Sequence, residues 1–230
     1  MLDRNSADAA KTAGPVVVAG AHGQSLLLRV DSVPREGETV LAAGFEEPED
    51  GGKATNQAVA AAKLGAPVRL VTLLGNDERG RRWRRTLERH AIDVRFLLEA
   101  SGATDVGFVM LPPNRIPASG LARRFGCAVV VTAGPLGCFV EAPGEKGRHC
   151  PAPKVQVADT TGAGDAFIGG LAARLRAGDD LPAAAAYAAT VASFSVTRYG
   201  TMPAYPTVAD LAVLSADAGA GKWAHPSSHV

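Results

Sequence analysis

The sequence has few cysteines and aromatic residues and no metal-binding arrangement of histidines. It has only three cysteines, and none of them forms a Cys-x-x-Cys pair, so neither a zinc site nor a disulfide framework is indicated. Its five histidines show no metal-ligand spacing. Aromatic residues make up only 5% of the sequence, so the core must consist mainly of Ala, Val and Leu.

Strong charge and long apolar runs are also missing. The net charge is +1, which argues against a general nucleic-acid or membrane surface. No run approaches the roughly 18 apolar residues of a membrane span, and the polar stretch 1–14 lacks the apolar core of a signal peptide. We therefore expect a protein of the reducing cytoplasm with small-molecule partners, and neither nucleic acid nor a membrane as a partner.

Strand-like and helix-like segments alternate along the chain. Short β-branched runs predict buried strands at 16–20, 68–74 and 128–132. Weaker runs predict further strands at 26–30, 39–45, 94–98, 106–111 and 138–140. Helices are predicted at 55–64, 77–90, 166–177 and 181–195. This alternation indicates an α/β fold with a mainly parallel sheet, in one domain over 15–217 with flexible tails at 1–14 and 218–230.

The stretch from Asp159 to Asp165 carries the clearest chemical signal. It reads Asp-Thr-Thr-Gly-Ala-Gly-Asp and opens an apolar helix. The first N–H groups of a helix have no intrahelical partner and carry partial positive charge, so a Gly-rich turn there can bind an anion. An acid beside an anion site suits a proton acceptor, and we interpret Asp165 as the base of a phosphoryl transfer. The alternative is a tight strand-to-helix connection with a capping Asp.

Two further glycine-rich segments follow or precede predicted elements. Gly51-Gly52-Lys53-Ala54-Thr55-Asn56-Gln57 leads into an Ala-rich helix. Its glycines let a ligand approach the backbone, and Lys53 and Asn56 offer donors to hydroxyls or phosphate. Thr132-Ala133-Gly134-Pro135-Leu136-Gly137 follows a predicted strand, and open α/β sheets bind ligands beyond the carboxyl ends of their strands. Each segment taken alone is also compatible with an ordinary loop or hairpin turn.

In this order, the three segments resemble those of the ribokinase-like (PfkB) family of carbohydrate kinases. Residues 51–62 look like the family's N-terminal signature, 159–169 like its C-terminal signature, and 195–207 are similar to its C-terminal segment. The resemblance covers about 16–214 in two blocks. It implies a doubly wound, mainly parallel α/β sheet with a small β-sheet lid from about 26–45 and 94–111.

The resemblance also implies an activity: transfer of the γ-phosphate of ATP to a primary hydroxyl of a sugar, with ribose as the expected substrate. Asp165 would be the base that touches this hydroxyl. The other implied roles fall into four groups: an anion hole of the Gly162, Ala163 and Gly164 N–H groups; sugar binding by Gly52, Lys53 and Asn56; an ATP site with Thr132, Gly134 and Gly137; and a monovalent-cation (K⁺) site with Asp159 and Thr161. Mg²⁺ would arrive with ATP.

The chain departs from the family's pattern in two places. Gly23-Gln24-Ser25 stands where an Asn-x-Asp element, whose Asp binds sugar hydroxyls, is usual. Only residues 112–120 stand where several strand–helix units usually continue. A βαβ unit needs about 30 residues, so we expect a sheet that is shortened in the middle.

These departures leave alternatives open. Three outcomes are open for a shortened sheet: it closes with fewer strands, its edge is covered in an oligomer such as a homodimer, or the chain folds poorly. A nucleotide- or sugar-binding relative without turnover is one alternative function. A kinase for a nucleoside or for another furanose or ketose is the other.

Overall fold

The structure, a computed structural model, describes residues 14–30, 37, 39–107, 122 and 126–212. Three sequence predictions lie wholly or largely outside these residues. They are the tails apart from Gly14, the end of the strand predicted at 106–111, and the short segment 112–120.

Helices and strands alternate over most of the described chain. The helices are α1 (Gly52–Lys63), α2 (Glu78–Arg89), α3 (Ala163–Arg176) and α4 (Leu181–Ser195). The strands are β1 (Val16–Ala19), β2 (Gln24–Ser25), β3 (Leu27–Arg29), β4 (Gly44–Glu46), β5 (Val68–Gly75), β6 (Ile92–Asp93), β7 (Leu97–Ala100), β8 (Val106–Gly107), β9 (Val129–Thr132), β10 (Cys138–Glu141) and β11 (Arg148–Cys150). Among the described helices, none is both long and apolar enough to cross a membrane.

β5 is the longest described strand and organises the parallel sheet. β1 pairs in parallel with residues 68–71 of β5, while β6 pairs with its start and β7 with its end. The Ala-rich face of α1 covers this sheet, and Val59 of α1 shares a core cluster with Val68 and Leu70 of β5. The α/β class and the short, mainly parallel sheet are therefore as the sequence predicts.

The remaining strands form three small sheets. β9, β10 and β11 are antiparallel, with β10 in the centre. β2 and β8 pair in parallel, and β3 and β4 pair antiparallel with Leu28 opposite Phe45. Within the described residues no strand connects β9 to β1, so the sheet is interrupted at the point where the sequence lacks strand–helix units.

The prediction that 16–20 and 128–132 are buried strands is correct for the strands and wrong for their burial. Side chains of β1 alternate between half-buried and exposed, and none of the β9 side chains is buried. Val17 is 61% exposed. A parallel strand is buried on both faces only when its neighbours cover it. In the described part of the chain, β1 and β9 each pair with only one strand.

Several element boundaries also differ from prediction. α1 begins at Gly52 rather than at 55, and α3 begins at Ala163 rather than at 166. Residues 94–96 form a 3₁₀ turn, so the strand predicted at 94–98 is found instead as β7. The earlier starts of α1 and α3 place the glycine-rich motifs inside the first turns of these helices.

α3 packs between α1 and α4 through two glycines. A Cβ on Gly169 would lie 2.5 Å from the Cβ of Ala60 in α1, and a Cβ on Gly170 would lie 3.1 Å from Val191 in α4. The backbone of α3 therefore approaches its neighbours at distances that a larger side chain would prevent. This close approach brings the first turn of α3 beside the first turns of α1.

Candidate active site

Asp165 lies where α1 and α3 meet. Gln57 Nε2 donates to its Oδ1 at 3.0 Å, and Asn56 Nδ2 donates to its Oδ2 at 3.4 Å. Gln57 is 108 positions away in the chain, so the fold alone creates this contact. The N-terminal and C-terminal motifs identified in the sequence thus form one site.

Burial controls the acidity of the Asp165 carboxyl. Its pKa is raised above the ordinary value, chiefly because burial disfavours the charged form, and the Asp50 carboxylate adds to the rise. The hydrogen bonds from Gln57 and Asn56 act in the opposite direction without cancelling it. A carboxylate with a raised pKa binds a proton more readily, which suits a general base.

The turn that begins α3 presents free backbone donors. Gly162 has a φ of +76°, and a Cβ on it would lie 2.6 Å from the hydroxyl of Tyr205. In the described residues the N–H groups of Gly162, Gly164 and Asp165 donate to no acceptor, while Ala163 makes a long bond of 3.3 Å to Thr160 O. Gly164 faces open space. Free N–H groups at the start of a helix favour an anion there.

Asp159 holds this turn in shape. Its Oδ1 accepts bonds from the N–H and the hydroxyl of Thr161 at 2.9 and 2.7 Å, and its Oδ2 accepts one from the Gly200 N–H at 3.0 Å. Burial pushes the pKa of Asp159 upward, but these hydrogen bonds outweigh it, so the pKa lies below its ordinary value. Asp159 is therefore charged at neutral pH.

The start of α1 is fixed by a buried carboxylate. Asp50 Oδ1 accepts from the Gly52 N–H at 3.0 Å and from Asn56 Nδ2 at 2.9 Å, and Asn56 Oδ1 accepts from the Gly51 N–H at 3.2 Å. Gly52 has a φ of +77°, and a Cβ on it would lie 3.2 Å from the backbone of Gly23. Lys53, the next residue of this helix, is exposed.

A cavity of about 540 Å³ opens beside this helix start. Its walls are residues 19–23 at the end of β1, the first turns of α1 with Lys53 and Gln57, and Ser25 with Asp105. It lies beyond the carboxyl end of β1, which is the usual place for a ligand in an open α/β sheet. Gln57, which lines this cavity, donates the hydrogen bond to Asp165 described above.

His22 forms a neutral part of the cavity wall. It is buried, its Nδ1 lies 2.9 Å from Thr55 Oγ1, and its ring packs edge-on against Trp83 at 4.8 Å. Burial lowers the pKa of His22 to about 4, although the Asp105 and Asp50 carboxylates act to raise it. The imidazole is therefore uncharged at neutral pH.

The loop between β9 and β10 carries the third motif, on a different sheet. Gly134 and Gly137 have φ values of +56° and +91°, and a Cβ on Gly137 would lie 2.1 Å from Cys150 O. Thr132 and Gly134 are exposed. Cys138 of β10 shares a core cluster with Phe167 of α3, which attaches this sheet to the helix of Asp165. Among the described residues, no hydrogen bond joins the loop to the other two motifs.

Three residues of the site have no role assigned from sequence. Gln57 stands within the N-terminal motif, and its position beside Asn56 was the one available signal. Asp50 and Tyr205 have no sequence signal, because they meet the motifs only through folding. Tyr205 is buried, and its hydroxyl has no partner among the described residues.

The motifs also agree with comparisons to known proteins. Residues 16–114 and 118–208 match the model of the family described as pfkB family carbohydrate kinase. The bifunctional protein HldE of Azotobacter vinelandii is 45% identical over 74 residues, but the match covers 32% of this chain and only 16% of that protein.

Deoxyribokinase of Salmonella typhi is 24% identical over 294 residues, which cover 84% of this chain and 96% of that enzyme. That alignment is longer than the 230 residues of this chain, so part of the enzyme has no counterpart here. The structure of Arabidopsis thaliana ribokinase complexed with ribose and ATP has a TM-score of 0.72 at 19% identity, covering 88% of this chain and 99% of that one.

The structural likeness confirms the ribokinase-like fold, and the family match confirms the resemblance drawn from the three motifs. Because the match spans most of the sequence, from the start of β1 to residue 208, it includes both halves of the site at Asp165. The chain belongs to the pfkB family of carbohydrate kinases.

Proposed function

We propose that this chain is an ATP-dependent sugar kinase that transfers the γ-phosphate to a primary hydroxyl, with ribose as the substrate. The observation that carries this proposal is the position of Asp165, held by the amides of Asn56 and Gln57 beside the free N–H groups at the start of α3. A base next to an anion site is the arrangement that phosphoryl transfer to a hydroxyl requires. The ribose-bound ribokinase and the deoxyribokinase among similar proteins support a pentose.

In this proposal the sugar occupies the cavity beside α1. Lys53 and the Gly52 backbone bind its hydroxyls, under a lid that includes the β3–β4 pair. Asn56 uses both amide hydrogens on Asp50 and Asp165, which leaves one carbonyl lone pair for a sugar hydroxyl. Its main effect is therefore to hold the base.

The proposed chemical step uses the first turn of α3. Asp165 removes the proton of the primary hydroxyl while the hydroxyl oxygen forms a bond to the γ-phosphorus and the bond to the β-phosphate oxygen breaks. The N–H groups of Gly162, Ala163 and Gly164 stabilise the charge on the transferred group. The products are the sugar phosphate and ADP.

The proposed ATP site is the β9–β10 loop with Thr132, Gly134 and Gly137. Positive φ values and the exposed position of Gly134 leave backbone groups of this loop accessible to a nucleotide. The described residues contain no group of three or more His, Cys, Asp or Glu side chains that is arranged to hold a metal ion. In this proposal Mg²⁺ arrives with ATP. Asp159 stays charged and keeps free lone pairs, so it and Thr161 fit a K⁺ site.

The test is ADP formation from ATP with a panel of sugars, comparing the wild-type chain with Asp165→Asn. Loss of a general base lowers kcat by about 10²–10⁴-fold, and we expect a loss of that size. Asp180→Asn is the matched control, because it makes the same change at the start of α4 and Asn caps a helix as well as Asp. Absence of sugar-dependent turnover in the wild type, or full turnover in Asp165→Asn, contradicts the proposal.

A second candidate is a nucleotide- and sugar-binding protein without turnover. One observation favours it: β9, which leads into the proposed ATP loop, has no parallel neighbour among the described residues. Calorimetric titration with ATP and with ribose separates the two candidates, since binding of both without ADP formation points to the second. A substrate other than ribose, such as a nucleoside or a ketose, would appear in the same sugar panel.

A further inference from the structure

Asp105 is the acidic side chain on the cavity wall that lacks a hydrogen-bonding partner in the described residues. Its backbone is held firmly. The Gln24 N–H donates to Asp105 O at 2.8 Å, and β8 begins at the next residue and pairs with β2. On the other side, Thr104 is fixed by Asp77, which accepts from its N–H at 3.0 Å and from its hydroxyl at 2.7 Å. The backbone is thus positioned, while the carboxylate accepts no hydrogen bond from any residue that the structure describes.

Asp105 belongs to the cavity wall. Asp105 lines it together with Ser25, Lys53 and His22, and its charge acts on the imidazole of His22. Lys53 donates no hydrogen bond to the described residues and supplies a positive group on the same cavity. The wall therefore combines a free acceptor, a free donor and the hydroxyl of Ser25.

This combination selects a ligand by its chemistry. An ionised carboxylate can only accept hydrogen bonds, and its two oxygens match two neighbouring hydroxyls. A phosphate carries a charge of about −1.5 to −2, which Asp105 repels and the single Lys53 balances only in part. An uncharged ligand with adjacent hydroxyls fits the wall, and a phosphorylated one does not.

Resting on the proposed sugar kinase function, we propose that Asp105 is a specificity-determining residue of the cavity. Its carboxylate accepts hydrogen bonds from two adjacent hydroxyls of an uncharged sugar and disfavours sugars that already carry a phosphate.

The test compares Asp105→Ala and Asp105→Asn with the wild type in steady-state kinetics. Losing a hydrogen bond to a charged group costs about 1.5–3 kcal/mol, so we expect the KM for ribose to rise about tenfold or more in Asp105→Ala. The kcat and the KM for ATP should stay within about threefold, because Asp105 does not touch the reacting atoms or the nucleotide loop. Glu88→Ala, which removes an exposed acid of α2 outside the cavity wall, is the matched control.

A second readout moves in the opposite direction. Ribose 1-phosphate, whose phosphate lies away from the primary hydroxyl, should inhibit Asp105→Asn more strongly than the wild type. Damage to the fold would weaken the binding of both sugars together. Tighter binding of ribose 1-phosphate alongside weaker binding of ribose therefore identifies an effect of the Asp105 charge. If the 2-hydroxyl is one of the two partners, the KM values for ribose and 2-deoxyribose should also differ less in Asp105→Ala than in the wild type.

The outcomes separate this inference from the proposed function. If the wild type turns over ribose and Asp105→Ala has the KM of Glu88→Ala, Asp105 does not select the sugar and the kinase function stands. If the wild type neither binds nor phosphorylates any sugar of the panel, the proposed function is wrong and this inference falls with it.

Discussion

At the scale of single residues, the site depends on how two amides hold one carboxylate. Gln57 and Asn56 are neighbours on α1, and each donates to a different oxygen of Asp165. Asn56 is itself anchored by the buried Asp50 carboxylate. Gln57 has no such anchor among the described residues, so its bond to Asp165 can be removed with the least disturbance to the network.

We predict that Gln57→Leu shifts the acid limb of the pH–rate profile to higher pH. The Gln57 bond stabilises the charged form of Asp165 and so lowers its pKa, and its loss lets burial raise the pKa further. The base is then protonated at a higher pH. We also expect kcat/KM at neutral pH to fall about tenfold, the equivalent of one hydrogen bond of about 1.4 kcal/mol.

The measurement is kcat/KM between acid and neutral pH for both proteins, with thermal unfolding to compare their stability. If kcat/KM falls but the midpoint of the pH profile does not move, Gln57 contributes to sugar binding alone, since it also lines the cavity. A shift to lower pH would contradict the hydrogen-bond assignment.

At the scale of elements, the glycines of α3 decide where its first turn lies. Gly169 allows the helix to approach Ala60 and Ala61 of α1, where a Cβ would meet atoms at 2.5 and 2.8 Å. Gly164, one turn and a half earlier, has open space in the direction of a Cβ. The two positions therefore separate packing from ligand access within one helix.

We predict that Gly169→Ala destabilises the fold and that Gly164→Ala does not. Overpacking at the α1–α3 contact should cost about 1–3 kcal/mol of unfolding free energy, measured by denaturant unfolding. Gly164→Ala should keep wild-type stability but lose turnover, because its methyl group occupies space in front of the free N–H groups. Equal stability of the two variants would show that α3 can move away from α1 at little cost.

At the scale of the whole molecule, one face of the parallel sheet is open. Val17, Leu73 and Leu98 are 61%, 52% and 60% exposed, although they belong to β1, β5 and β7. The opposite side chains of β5, such as Leu70 and Leu74, are buried. Open apolar strands favour pairing with another chain, and the expected homodimer is a prediction that this face makes testable.

We predict that the chain self-associates in solution and that Val17→Lys weakens this association, because a charged side chain on an edge strand opposes pairing. Sedimentation velocity over a range of concentrations measures the effect. Leu41→Lys is the control, since it introduces the same charge at an apolar residue that is 91% exposed and outside the described strands. Equal association of the wild type and both variants would place the contact elsewhere.

The sequence by itself determined the family, the helices and the positions of the three motifs. These depend on local rules, such as a free N–H at a helix start, glycine in a turn and apolar periodicity in a helix. Asp165 and the turn before it were thus predicted as a base and an anion site. In the structure Asp165 lies in the first turn of α3, where the N–H groups of Gly162 and Gly164 have no acceptor among the described residues.

Only the tertiary structure decided which side chains meet and which strands are covered. The contact of Gln57 with Asp165, the placing of the Tyr205 hydroxyl against Gly162 and the position of Asp105 on the cavity wall join residues far apart in sequence. The β-branched runs of β1 and β9 predict buried strands, yet their side chains are half-buried or exposed. Burial depends on neighbours that other parts of the chain supply, and a strand's own residues do not report whether those neighbours exist.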